Sequence, residues 1–320
     1  EVIVDNDDAV KRPYYVETVN GKKWKDCDSI GFAARRRYYE DNQNPFTDGT
    51  VRKAKATKKK NHSEISYQPD LPEAGKYAVY VSYQSLPKSV TDAKYIVYHK
   101  GEATEFSVNQ RMGGGTWVYL GTFDFDKGCN TLNRVVVTNQ ASKRGVVTSD
   151  AVRFGGGMGN ILRGNNSSGM PRCLEGARYY AQWAGAPYHV YGGRKGANDY
   201  ADDINTRSLM TNWLGGGSPY MPALQGKKVP IELSLAVHSD AGYNKDGKTT
   251  WGSLAICTTN FNDGMLNSGI SRMTSKDLAK ALLKNLVSDL RQQYGEFSER
   301  YLWDRNYSET RLPEVPAAII

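Results

Sequence analysis

The chain holds only four histidines and four cysteines in 320 residues, and that scarcity narrows its chemistry. Cys27, Cys129, Cys173 and Cys257 form no CxxC pair and no zinc-finger spacing, which excludes a structural zinc site built on thiolates. They permit two disulfides without demanding them, so they do not decide the redox compartment. No apolar run approaches the ~20 residues a membrane-spanning helix needs. No nucleic-acid-binding motif is present, so nucleic acid is not an expected partner. No leader segment is visible either, because the chain opens on Glu1-Val2-Ile3-Val4-Asp5-Asn6-Asp7-Asp8, already charged. It stops on the apolar Ala317-Ala318-Ile319-Ile320, and both ends are expected to be cuts through a larger protein.

Hydrophobic residues make up 39% of the chain, enough to bury a sizeable core and too many for a disordered protein. The formal charge is +8, with basic residues clustered in Arg35-Arg36-Arg37 and from Lys53 to Lys60. Such a patch favours anionic partners such as acidic polysaccharide or cell wall, although a charge run is more often a solvated loop. The 21 tyrosines lean the same way, since Tyr-rich, Gly-rich surfaces are common in proteins that handle carbohydrate outside the cell.

Two rhythms divide the chain. Up to residue 154 the pattern has period two, as in Tyr77-Ala78-Val79-Tyr80-Val81-Ser82-Tyr83, Tyr95 to His99, Thr104 to Val108, Trp117 to Leu120 and Val135 to Thr138. Gly, Pro, Asn and Asp punctuate the gaps, so the spacing predicts a β-sandwich. After Gly155-Gly156-Gly157 the spacing turns helical. Residues 173–184 place Leu174, Ala177, Tyr180, Ala181 and Ala184 on one side, and Asp203 to Leu214 repeats the pattern. The clearest helix spans 276–294, with Ser275 as N-cap and a stripe of Leu278, Leu282, Leu286 and Leu290. Between these helices Val229 to Val237 reads as a buried strand, which predicts an α/β unit. The expected domains are therefore 1–157 and 158–320.

That strand runs directly into His238-Ser239-Asp240-Ala241-Gly242. Ligands of α/β sheets gather beyond the carboxyl ends of strands, and a neutral imidazole is a strong zinc ligand. A lone histidine is also commonly a satisfied core residue, so its surroundings must decide between the two.

Asp203, Arg207 and Asn212, followed by Ser234-Leu235-Ala236-Val237-His238-Ser239-Asp240-Ala241, resemble the zinc N-acetylmuramoyl-L-alanine amidase family. The helix from Ser275 and the stretch from Leu312 to Ile320 fit its later elements. The resemblance implies a zinc ion with His238 as one ligand, Asp240, Arg207 and Asn212 as supporting residues, and a catalytic glutamate just after Ile320. The family's Gly-His-Gly-type motif and first glutamate ligand are missing from this sequence. Glu175 is the best internal carboxylate candidate, though its helical position suits a surface residue better.

A second resemblance covers the first half. Ile3-Val4-Asp5-Asn6-Asp7-Asp8, Pro72 to Val81, Asn109-Gln110, Trp117 to Gly121 and Ser149-Asp150-Ala151-Val152-Arg153-Phe154 are similar to the golvesin and xanthan-lyase carbohydrate-binding-like domain. It implies a galactose-binding-like β-sandwich, here inserted ahead of part of an α/β amidase domain, in a secreted, periplasmic or cell-surface protein. Peptidoglycan or another polysaccharide is the implied partner. Trp117 and Tyr119 are candidates for stacking on a sugar, but their alternation with Val118 and Leu120 means that one face is core. Asn6 and Asp7 carry oxygens suited to calcium, although a capping or turn role is commoner. Asp150 reads as a residue of the fold rather than a catalyst. Two other functions stay open: a polysaccharide lyase, with a Tyr or His base near an Arg or Asn, and a non-catalytic glycan-binding protein.

Overall fold

The computed structural model describes residues 1–156, 161, 176–239 and 252–320, which form two compact units, Glu1–Gly192 and Gly193–Ile320. The first unit is mostly β. Its strands are β1 (Val2–Asp5), β2 (Tyr15–Thr18), β3 (Lys25–Gly31), β4 (Gly49–Lys55), β5 (Glu64–Tyr67) and β6 (Gly75–Val81). They continue as β7 (Ala93–His99), β8 (Glu102–Val108), β9 (Val118–Phe125), β10 (Arg134–Thr138), β11 (Val146–Ser149) and β12 (Ala151–Phe154). Three antiparallel sheets result, in the orders β1-β12-β6-β9, β2-β5-β10-β7-β8 and β11-β4-β3.

Period-two alternation explains the packing. Tyr95 and Val97 of β7 are buried between Lys94, Ile96 and Tyr98, which are only partly covered. Val135 and Val137 of β10 join them, with Val79, Val81, Phe125 and Phe154 from the first sheet. Each such apolar side chain contributes about 1.5–3 kcal/mol on burial. Lysines disguise β4 in the sequence: Lys53 and Lys55 sit inside the expected basic patch, yet Val51 and Ala54 point into the core. The patch is also partly neutralised, because Lys53 pairs with Asp28 at 3.1 Å and Arg36 with Asp48 at 3.0 Å.

The first unit runs past residue 157 to take in α1 (Ala177–Trp183) and α2 (Tyr188–Tyr191). Residues 173–175 of the expected 173–184 helix, Glu175 and Cys173 included, lie outside the described residues. The buried side of α1 is Arg178, Tyr179, Ala181, Gln182 and Trp183. Gln182 Nε2 donates to the carbonyls of Glu40 and Gln43, and Trp183 packs edge-on against Phe32 and Tyr39. These ties to the loop before β4 bind α1 to the β unit.

The second unit contains α3 (Asp199–Gly215), β13 (Ser234–Ala236), β14 (Ser253–Cys257) and α4 (Met273–Tyr294). Beyond them lie β15 (Glu299–Asp304), α5 (Ser308–Arg311) and β16 (Ala317–Ile319). The sheet order is β13-β16-β14-β15, with β13 parallel to β16 and β14 parallel to β15. Asn198 caps α3 by accepting from Ala201 N at 3.0 Å.

Three expectations about this unit are corrected. The stretch 229–237 is not a buried strand: only Ser234–Ala236 pairs, at the edge of the sheet, and Leu233, Leu235 and Val237 are 55%, 49% and 77% exposed. These three share one face by the two-residue repeat, and an edge strand has a neighbour on one side only. The helix expected from residue 276 starts at Met273, so Ser275 lies inside it and accepts from Ala317 N at 3.1 Å instead of capping. Its fully buried face is Ser275, Ala279, Leu283 and Val287, with Leu278 and Leu282 flanking. Small residues at the centre let the helix approach Ala255 and Ala318 closely, so the leucine stripe is displaced to the side.

Candidate functional site

His238 follows the edge strand β13 and stays in register with β16, its N–H donating to Ile320 O at 2.9 Å. Its Nε2 lies 2.8 Å from Glu309 Oε2, with the His238 side chain 42% exposed. Glu309 sits on α5, a four-residue helix held from three sides. Ser208 Oγ donates to Ser308 O, Thr258 and Thr310 hydroxyls meet at 2.7 Å, and the Arg272 guanidinium donates to Arg311 O. A side chain on such a braced turn is preorganised rather than free to swing.

Glu309 also accepts from Arg207 Nη1 at 3.3 Å, and Arg207 Nη2 reaches Asp203 one helical turn earlier at 3.3 Å. Burial works against the Arg207 charge, but the Glu309 and Asp203 carboxylates outweigh it and raise its pKa. Charges therefore alternate through Asp203, Arg207, Glu309 and His238. Asn212, one face further along α3, donates to Leu312 O at 2.8 Å and accepts from Glu314 N at 2.9 Å, clamping the segment that leads into β16.

The histidine and glutamate line a cavity of about 360 Å³ together with Arg300, Trp303, Tyr307 and Leu286. Of the residues singled out in the sequence, Asp203, Arg207 and His238 are thus linked through Glu309. Asp240 lies outside the described residues. Glu309 itself was invisible in the sequence, because nothing in Tyr307-Ser308-Glu309-Thr310 signals a link to a histidine on a distant strand.

An imidazole nitrogen and a carboxylate oxygen facing one cavity suit part of a zinc site, which takes three protein ligands when catalytic. Among the described residues no three or more His, Cys, Asp or Glu gather to hold a metal. His238 and Glu309 by themselves fall short of such a set.

On the sandwich, Trp117 is withdrawn as a sugar-stacking surface. It is 7% exposed, its ring lies within 5.3 Å of Phe32 and Phe46, and its Nε1 donates to Trp183 O. Tyr119 is 54% exposed beside Tyr80, and its hydroxyl meets that of Thr122 at 2.8 Å. A cleft of about 490 Å³ lies elsewhere on this unit, lined by Lys58, Asp92, Lys94, Glu105, Phe106 and Gln140. Asp7 ties the end of β1 to β4 rather than closing a local turn: its carboxylate accepts from Thr50 N and from Thr50 Oγ1. Asp150 is a fold residue at its Oδ2, which accepts from Phe32 N at 3.0 Å and Ser82 Oγ at 2.7 Å. Cys27, Cys129 and Cys257 are free thiols.

Comparison with known proteins gives the first unit its kinship. Residues 39–156 match the Golvesin C-terminal domain. A protein named xanthan lyase from Bacillus sp. (strain GL1) is 34% identical over 97 residues, 30% of this chain and 10% of that protein. The solved Paenibacillus xanthan lyase shares 24% identity with a TM-score of 0.36, over 48% of this chain and 12% of that one. The mannan binding module of Man5C shares 13% identity with a TM-score of 0.23, over 41% of this chain and 96% of its own. With TM-scores this low, the structural likenesses carry no functional conclusion. The chain spans about a tenth of the length of the xanthan lyases it matches. The first unit carries a golvesin/xanthan-lyase-like domain, and these matches do not extend to an amidase.

Proposed function

We propose that this chain is part of a polysaccharide-directed enzyme acting outside the cytoplasm, secreted, periplasmic or on the cell surface. In this reading the golvesin/xanthan-lyase-like domain holds glycan. The second unit contributes His238 and Glu309 to a zinc-dependent N-acetylmuramoyl-L-alanine amidase site that acts on peptidoglycan. The observation that supports it is the 2.8 Å approach of His238 Nε2 to Glu309 Oε2 beside the cavity. Glu309 would serve as a second donor with His238 Nε2, or, through its contact at Nε2, as the group that orients an imidazole holding the ion through Nδ1. Arg207 fixes the Glu309 carboxylate, Asn212 steadies the segment before β16, and Asp240 is the remaining candidate beside the histidine. Zinc in such a site polarises the scissile amide carbonyl. A glutamate just beyond Ile320 would move the proton from water to the leaving amine.

The test is zinc content and peptidoglycan cleavage of the protein carrying this chain, with and without His238→Ala. Both should be lost in the variant. Unchanged zinc content in His238→Ala would sink the reading.

A second reading, a polysaccharide lyase, is favoured by the relative named xanthan lyase and by His238, Tyr307 and Arg300 lining one cavity. A lyase needs a base near a cation that neutralises a uronate. Ultraviolet absorbance of unsaturated uronate released from xanthan decides it. Cleavage of neither polymer, with glycan binding intact, would leave a non-catalytic binding protein.

A further inference from the structure

Where β1 ends beside β12, oxygen atoms collect without partners. Asp5 lies opposite Ala151 in the strand register, next to Asp150 in the chain. Asp5, Asn6 and Asp150 are 2%, 3% and 0% exposed. Asp5 Oδ1 accepts from Asp7 N, Asn6 Nδ2 donates to Thr50 Oγ1 at 3.0 Å, and Asp150 Oδ2 is taken by Phe32 N and Ser82 Oγ. The second oxygen of each side chain, Asp5 Oδ2, Asn6 Oδ1 and Asp150 Oδ1, is buried with no hydrogen-bond partner among the described residues. Gly31 admits the Asp150 carboxylate to the β3 backbone, since a Cβ there would stand 2.9 Å from Asp150 Oδ1.

An orphan buried oxygen is costly, and more so when charged, so orphan oxygens on three neighbouring residues call for a common partner. Among the described residues the charges that raise Asp5 and Asp150 are other aspartates, and Lys11 Nζ donates to Asn6 O at 2.6 Å. All three orphans are hard oxygen acceptors, with no imidazole or thiolate among them. That set is wrong for zinc and suits calcium, which takes carboxylate and amide oxygens in flexible numbers. Magnesium retains several waters and demands octahedral geometry, which a fully buried Asp150 does not accommodate.

We propose that Asp5, Asn6 and Asp150 are the side-chain ligands of one structural calcium ion that locks β1 to β12 in the sandwich unit. It has two carboxylates and one carboxamide, so it agrees with the lack of three clustered His, Cys, Asp or Glu among the described residues. The site is independent of the second unit and of any amidase or lyase activity.

The experiment is equilibrium dialysis and thermal melting of the chelator-treated chain, titrated with Ca²⁺ and, separately, with Mg²⁺. One Ca²⁺ should bind with a dissociation constant of about 0.1–1 mM and raise the melting temperature, with Mg²⁺ much weaker. Asp5→Asn/Asp150→Asn, which keeps shape while removing both charges, should bind at least about tenfold more weakly. Without ion, the same variant should melt no lower than the parent, because a buried like-charge pair is gone. Absence of binding and of any melting shift at millimolar Ca²⁺ in the parent chain would overturn the proposal, and that result does not depend on a variant folding. Equal binding by the double variant would overturn it as well.

Discussion

The two units bury different things. The interior of the first is aromatic and polar, with Trp183, Tyr39, Tyr67, Tyr83, Tyr95, Phe32, Phe125 and Phe154 almost wholly enclosed. Its tyrosine hydroxyls are satisfied inside: Tyr67 meets Ser149 Oγ at 2.6 Å, and Tyr39 donates to Ala33 O at 2.9 Å. The core of the second is small and aliphatic, with Ala255, Ala279, Ala318, Leu283 and Val287 between α4 and the sheet. Large rings hold a sandwich of short strands by area and by specific hydrogen bonds. Small residues hold a helix against a sheet by close approach. The first arrangement resists removal of a side chain least, and the second resists addition of one least.

The largest expected effect follows from this contrast. Trp183→Ala should destabilise the first unit by about 3–5 kcal/mol in denaturant unfolding, because its ring meets Phe32 and Tyr39. Ala279→Leu should cost the second unit about 1–3 kcal/mol by overpacking, although leucine is the more hydrophobic residue. If that variant is instead more stable, the close-approach account of α4 fails. The remaining effect is electrostatic. Burial lowers the pKa of Lys227 to about 8 from 10.5, its ammonium lying 4.9 Å from the Trp213 ring centroid. The folded state then releases a proton that the unfolded state keeps between those values. Stability should therefore rise with pH from about 8 to 10.5, and fall as pH drops through 8. Lys227→Met should flatten that slope.

Much of the sandwich was legible in the sequence because alternation survives wherever one face is buried. Strands β6 to β10 lie over the segments whose period was read. Strand β4 was not legible, since Arg52, Lys53 and Lys55 stand among Val51 and Ala54 and hide the apolar alternation. The tyrosines misled in the same way: Tyr39, Tyr67, Tyr83, Tyr95 and Tyr191 are core, not a glycan-facing surface. A phenol is amphipathic, so its count says nothing of its side. In the second unit the helices were visible by period, but period alone assigned the wrong face of α4, because alanine and serine carry little hydropathy and still occupy the contact. At the site, His238 and Arg207 stood out through a resemblance to an amidase pattern. Glu309 did not, because the pairing is made by the placement of α5 and not by any spacing along the chain.

In the proposed function the sandwich unit holds the polymer and the His238 cleft cleaves it. The most direct measurement is the rate at which free amino-terminal L-alanine appears from peptidoglycan, compared between the parent protein and His238→Ala at equal amounts of bound protein. The account predicts unchanged binding and a rate lower by about 100-fold or more. Parent-level release by His238→Ala would contradict it.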